Sequence, residues 1–167
     1  KIGKIKNQSK VILDYAHTPD ALKKCLLNLK EHFPNKTITV LFGCGGNRDQ
    51  KKRLKMGEIA SIFADRIILT NDNPRFENPQ KIRRDIKKGI KKKRIMEISN
   101  RAAAIKQAIQ KLNSGDILLV AGKGHEKTQD IKNKKIFFSD RQIILNAIKN
   151  KNNTLSDNLR LNVIKEA

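Results

Sequence analysis

Short apolar runs alternate along the chain with stretches whose apolar residues recur every three or four positions. The runs cover residues 11–13, 38–42, 67–69, a weaker 95–98, 117–121 and 136–138. Each is brief and nearly unbroken by polar residues, the pattern of strands covered on both faces. Between them, Leu22, Cys25, Leu26, Leu29 and Phe33 form one helical stripe, Met56, Ile59, Ala60 and Phe63 a second, and Ala102, Ile105, Ile109 and Leu112 a third. A shorter, more basic helix is expected around Ile82 and Ile86. Thr18-Pro19 and Asn78-Pro79 each read as an N-cap followed by proline at the first helical position. Ser139 with Gln142 forms a capping box ahead of Ile143, Ile144, Ala147 and Ile148.

Strand–helix alternation with short loops predicts an α/β fold: a doubly wound, mostly parallel, Rossmann-like sheet of about six strands. The run at 135–138 follows Ala121 through a loop with no helical pattern, so it is expected as an antiparallel edge strand. Residues 1–150 are expected as one domain. KNNTLSDNLRLNVIKEA, from Lys151 on, has no firm period and reads as a flexible tail with at most one weak terminal element. The chain opens on KIGKIKNQSK without a methionine, which suggests a segment of a longer polypeptide.

Composition narrows the function. No apolar run approaches 18 residues, so no transmembrane helix is expected, and no secretory signal is visible. Cys25 and Cys44 make no disulfide framework and suit a reducing, cytoplasmic setting. The net charge is +21, from 37 Lys and Arg against 16 Asp and Glu. One reading is a basic nucleic-acid-binding module. Against it, the lysines are spread along the chain, and one tyrosine and six phenylalanines make no obvious stacking platform. An anionic, carboxylate-rich small molecule fits the same charge.

In such folds ligands bind beyond the carboxyl ends of the strands. DYAHTPD (14–20), GCGGNRDQKKR (43–53), NDNPR (71–75) and AGKGHEKTQD (121–130) fall there and carry nearly all the unusual residues. Gly43, Gly45 and Gly46 could form an anion nest, but the dinucleotide fingerprint fails at Arg48. GKGHEKT is no P-loop, because Glu126 replaces the glycine before Lys127-Thr128. Pro74 stiffens the backbone ahead of Arg75 and pushes Asn73 toward an extended conformation. Arg48 and Arg75 present planar forks suited to carboxylates, and Asp72 and Glu126 could hold an ammonium group. Together they describe a pocket for a zwitterionic amino acid. His17, His125 and Cys44 lack metal-ligand spacing on any one element. No nucleophile–base pair is evident, so no catalytic residue is expected in this chain.

DYAHTPDAL (14–22), FGCGGNRD (42–49), TNDNPR (70–75), AGKGHE (121–126) and FSDRQ (138–142) together resemble the C-terminal domain of the Mur ligases. The Asp-Asn-Pro-Arg element resembles, more narrowly, the branch that adds meso-diaminopimelate to UDP-N-acetylmuramoyl-L-alanyl-D-glutamate in peptidoglycan synthesis. A lysine-adding relative is the alternative within the family. The resemblance implies that Arg48, Asp72, Asn73, Pro74, Arg75, Gly122 and Glu126 bind diaminopimelate, and that Asp14 and His17 contact the nucleotide on domain closure. It further implies ATP and Mg2+, held mainly by a central ATPase domain, and an N-terminal UDP-binding domain, neither of them within these residues. The implied reaction activates the glutamyl carboxylate as an acyl phosphate, which the incoming amine attacks. These residues alone would then be inactive. Asn47, where many relatives carry Asp, and Leu54-Lys55, in place of Pro-Leu, put the shape of the loop around Arg48 in question.

Overall fold

The computed structural model describes residues 3–91 and 95–166, with side chains from Ile5 to Ser156. Its centre is a six-stranded sheet in the order β1-β2-β6-β3-β4-β5. The strands are β1 (Gly3–Lys4), β2 (Lys10–Asp14), β3 (Ile38–Phe42), β4 (Arg66–Leu69), β5 (Ile95–Glu97) and β6 (Ile117–Ala121). From β2 to β5 every pairing is parallel, while β1 pairs antiparallel with β2.

β3 and β6 are buried at every position, which is why their sequences run apolar without alternation. Side chains still alternate between faces. Ile117, Leu119 and Ala121 join Val40, Phe42, Ile67 and Leu69 in one core, against α1 (Pro19–His32), α2 (Lys51–Phe63) and α3 (Pro79–Lys87). Leu118 and Val120 join Val11, Leu41 and Ile68 in the other, against α4 (Arg101–Gln110) and α5 (Asp140–Glu166). The expected caps form. The Thr18 hydroxyl accepts from Ala21 N at 3.3 Å, and Asn78 Oδ1 accepts from Gln80 N at 2.8 Å. The Ser139 hydroxyl accepts from Gln142 N at 3.3 Å.

Two expectations change. The run expected at 135–138 is not an edge of the main sheet. It is β8 (Lys134–Phe137), paired with β7 (Thr128–Ile131) in a separate hairpin. Lys132 and Asn133 both take positive φ, 50° and 60°, the geometry of a two-residue turn that matches strand twist. The antiparallel edge of the main sheet is β1 instead. The tail expected after Asn150 is also different: α5 runs on as helix to Glu166.

Sheet order explains why the loops meet. β6 inserts between β2 and β3, so the carboxyl ends of β2, β6, β3 and β4 are successive neighbours. Parallel register levels them: Asp14 pairs with Ala121, and Phe42 with Leu69. Each of the four loops therefore leaves from the same rim.

Candidate functional site

A cleft of about 430 Å3 opens at that rim, within the size range of small-molecule sites. Arg48, Asp72, Asn73, Arg75, Gly122 and Glu126 all line it, with His17 from the first loop. Of the residues singled out in the sequence, Pro74 and Asp14 lie behind the wall. Pro74 is buried, and its carbonyl accepts from Glu77 N at 3.0 Å. Asp14 Oδ1 accepts from Ala16 N at 2.8 Å, and its carbonyl accepts from Gly122 N at 3.2 Å. Asp14 thus shapes the turn that carries His17 and anchors the start of the Gly122 loop. A larger groove of about 600 Å3 runs along Thr39, Arg66, Ile95 and Leu112 at the opposite, amino-terminal edge of the strands, away from the charged loops.

Arg75 is held more firmly than a proline shelf alone would hold it. Its φ is +50°, a left-handed conformation that disfavours side-chain-bearing residues. The backbone is fixed there by the hairpin: Arg75 N donates to Asp130 O at 3.1 Å, and Lys132 N donates to Arg75 O at 2.9 Å. Its guanidinium donates through Nη1 to Gly46 O at 2.8 Å and has Asp130 Oδ2 3.8 Å from Nε. Gly46 in turn donates its N–H to Asn73 O at 2.8 Å. A Cβ on Gly46 would fall 1.9 Å from the Pro74 carbonyl oxygen, so the two loops can approach this closely only with glycine there. Gly122 has φ +112°, and a Cβ there would meet Asp72 Oδ2 at 2.9 Å.

The loop around Arg48 is fixed by contacts of Asn47. Asn47 takes φ +51°, which asparagine tolerates. Its Oδ1 accepts from Phe76 N at 3.1 Å, the same acceptor role an aspartate would fill. Leu54 is exposed on α2.

On the acidic side, Glu126 Oε2 accepts from Lys123 Nζ at 2.8 Å and from Asn73 Nδ2 at 3.3 Å. Burial works against the Glu126 charge, but the Lys123 bond, aided by Asn73 and the charge of Arg101, outweighs it and holds the carboxyl below its ordinary value. Asn73 Oδ1 accepts from Lys123 Nζ at 2.8 Å and from Asp130 N at 3.0 Å. Gln129 Nε2 donates to Asp72 O at 2.6 Å. The His17 Nδ1–H donates to Tyr15 O at 2.9 Å. Lys52 Nζ on α2 donates to His17 O at 3.0 Å and ties this loop down. Cys44 also faces the cleft, but burial pushes its thiol up to about 12, so it is no nucleophile.

Sequence reasoning missed the buried cations, of which three brace the rim of the cleft. Arg53, fully buried, donates to Glu77 Oε1 at 2.9 Å, Gly45 O at 3.3 Å and Asp85 Oδ2 at 3.4 Å, and so braces the glycine loop. Arg101 grips Asp140 with two bonds, at 2.9 and 2.7 Å, and donates to Ala121 O at 3.0 Å. That pair pins the starts of α4 and α5 to the end of β6. Lys123 is the third. A basic residue on a strand-end or helix reads as surface in sequence: the acidic partners of Arg53 and Arg101 lie far along the chain, and Lys123, with Glu126 three residues on, is also bonded to Asn73 from 50 positions away.

A profile described as "Mur ligase, glutamate ligase domain" matches residues 1–124. The UDP-N-acetylmuramoyl-L-alanyl-D-glutamate--2,6-diaminopimelate ligase of Buchnera aphidicola subsp. Schizaphis graminum is 52% identical over 143 residues, covering 85% of this chain and 29% of the relative. The ligase of the same name from Chlorobaculum tepidum is 52% identical over 134 residues, covering 80% of this chain and 26% of its own length. A solved structure of a ligase of that name superposes with a TM-score of 0.81 at 43% identity, over 86% of this chain and 30% of that one. The chain therefore spans less than a third of the length of these relatives.

Proposed function

Because the chain belongs to the Mur ligase family through its glutamate ligase domain, we propose that it is the amino-acid-binding domain of an ATP-dependent ligase joining meso-diaminopimelate to UDP-N-acetylmuramoyl-L-alanyl-D-glutamate. The observation that carries the proposal is the meeting of Arg48, Arg75, Asp72 and Glu126, from three loops, around one cleft. Arg75 grips a carboxylate at the distal end of the amino acid, and Arg48 helps to fix the same molecule. Glu126 and Asp72 receive its ammonium, Asn73 holds Glu126 in place, and the Gly122 backbone closes against them; Pro74 braces the loop from behind. His17, with Asp14 shaping its turn, contacts the nucleotide when the domains close.

The work of this domain is positioning. The attacking nitrogen, as the neutral amine, adds to the activated glutamyl carbon; the tetrahedral adduct collapses as the bond from that carbon to phosphate oxygen breaks, and the nitrogen's proton leaves with the departing phosphate. Holding amine and acyl phosphate together makes the encounter nearly unimolecular, worth up to roughly 7–11 kcal/mol in favourable cases. Closure also keeps out water that would hydrolyse the activated carboxylate. ATP supplies that activation. Among the described residues no cluster of three or more His, Cys, Asp or Glu side chains could hold a metal ion, and the Mg2+ that accompanies ATP belongs, in this reading, to the central domain. No helix among the described residues is long and apolar enough to cross a membrane.

In the full-length ligase, Arg75→Ala is expected to lower kcat/KM for meso-diaminopimelate by about 2–5 kcal/mol, as for a desolvated charge pair stripped of one partner. Unchanged kcat/KM, or equal use of L-lysine by the unaltered enzyme, overturns the assignment. The 167-residue chain alone is expected to release no ADP from ATP with both other substrates present. Salt-dependent nucleic-acid binding that survives Arg48→Ala and Arg75→Ala would favour the basic-module reading instead.

A further inference from the structure

We propose that Lys123 is the positioning residue of the amino-acid cleft: its buried ammonium locks Glu126 and Asn73 into one arrangement and leaves a single glutamate oxygen, Oε1, for the substrate's ammonium. The inference rests on the amino-acid-binding reading above and deepens it.

Lys123 is fully buried, an uncommon place for a lysine unless it is paired. Its Nζ makes two bonds of 2.8 Å, to Glu126 Oε2 and to Asn73 Oδ1, and so joins the loop after β6 to the loop after β4. Glu126 Oε2 is saturated by these neighbours, since Asn73 Nδ2 donates to it as well. Among the described residues nothing donates to Oε1, while Glu126 lines the cleft and its side chain keeps 32% of its exposure. One oxygen is thus committed to structure and the other is offered to the ligand. Asn73 is oriented by the same contact. With Oδ1 taken by Lys123 and Asp130 N, its amide can turn only its Nδ2 toward Glu126.

The charges around Glu126 decide what the cleft can accept. Lys123 faces it from its own loop, and Arg101 acts on it from α4. Across the cleft stand Asp72 and Arg75 from the loop after β4, Arg48 and Lys52 beyond β3, and His17 beyond β2. Without Lys123, Glu126 and Asp72 would face the cleft with less opposing charge beside them, and the Glu126 carboxyl would take up a proton at higher pH. A protonated Glu126 offers a donor where the substrate's ammonium needs an acceptor.

The test is the pH dependence of kcat/KM for meso-diaminopimelate in the full-length ligase. Lys123→Gln keeps N–H donors but removes the charge. It should raise KM for the amino acid roughly tenfold or more, the scale of a lost charge-assisted hydrogen bond, leave KM for ATP unchanged, and move the acidic limb to higher pH. Glu126→Gln should abolish that limb, and adding Lys123→Gln to it should weaken binding little further. An unmoved limb in Lys123→Gln, or losses that simply add, overturns the inference. If Lys123→Gln does not melt cooperatively, a carboxyl-13C titration of Glu126 in the unaltered protein decides the point, and a midpoint at the ordinary glutamate value overturns it. Failure of the unaltered enzyme to use meso-diaminopimelate would instead sink the functional reading beneath it.

Discussion

At the residue scale, the cleft depends on side chains that never touch its contents. Gly46→Ala places a methyl group against the Pro74 carbonyl, where backbone must move. We expect a loss of about 1–3 kcal/mol in urea unfolding, with weaker amino-acid use because Gly46 also carries the oxygen that orients Arg75. Arg53→Met strips Glu77 and Asp85 of a buried partner and should cost about 3–5 kcal/mol in the same measurement. The charged residues of the cleft were legible in the sequence because they crowd into loops. Arg53, Lys123 and Arg101 were not, because a lysine or arginine beside apolar residues looks the same whether its acidic partner is near or absent. Arg53 meets Glu77 from 24 positions away, and Arg101 meets Asp140 from 39.

At the scale of elements, the strands and helix starts followed from local signals: unbroken apolar runs, and Thr18, Asn78 and Ser139 ahead of helices. The β7–β8 hairpin was hidden, since its turn uses Lys132-Asn133 rather than a glycine pair and its strands are largely exposed. The run of α5 beyond Asn150 was hidden by a polar stretch with no clear stripe. Part of its anchorage is Lys151, a buried side chain whose Nζ donates to the carbonyls of Ile109, Gln110 and Leu112 at 2.9, 2.8 and 2.7 Å. Ile109 O also accepts from Leu112 N at 3.3 Å and Leu112 O from Asn7 Nδ2 at 3.1 Å, so among the described residues it is the Gln110 carbonyl, at the end of α4, that depends on Lys151. Lys151→Met should leave that carbonyl unsatisfied, cost about 1–3 kcal/mol, and lower the melting temperature by several degrees, as seen by circular dichroism.

At the scale of the whole molecule, a net +21 sets self-repulsion against compactness. Glu77, Asp85 and Glu97 are held below their ordinary values, Glu77 first by its bond from Arg53, Asp85 by Lys88 and Glu97 by Arg83. Lowered carboxyls contribute stability that is present above their unfolded values and lost as pH falls through the folded ones. Urea midpoints should therefore stay level near neutrality and fall below about pH 4.5, where 16 negative charges begin to disappear as well. Raising salt to about 0.5 M should soften that fall, because long-range repulsion is screened more than buried pairs are; a steeper fall in salt would count against self-repulsion as the cause. The doubly wound class was readable from alternation alone, whereas the insertion of β6 between β2 and β3 is a long-range choice that no local window encodes. The same holds for the bridge between Arg75 and Ile131. An engineer wishing to graft this cleft onto another scaffold should therefore expect residues 71–75 to fail as a transplant by themselves. The smallest portable cassette includes residues 128–137, whose backbone clasps the arginine's peptide, so insertions at the ribbon's far turn become a dial on where the Arg75 guanidinium sits.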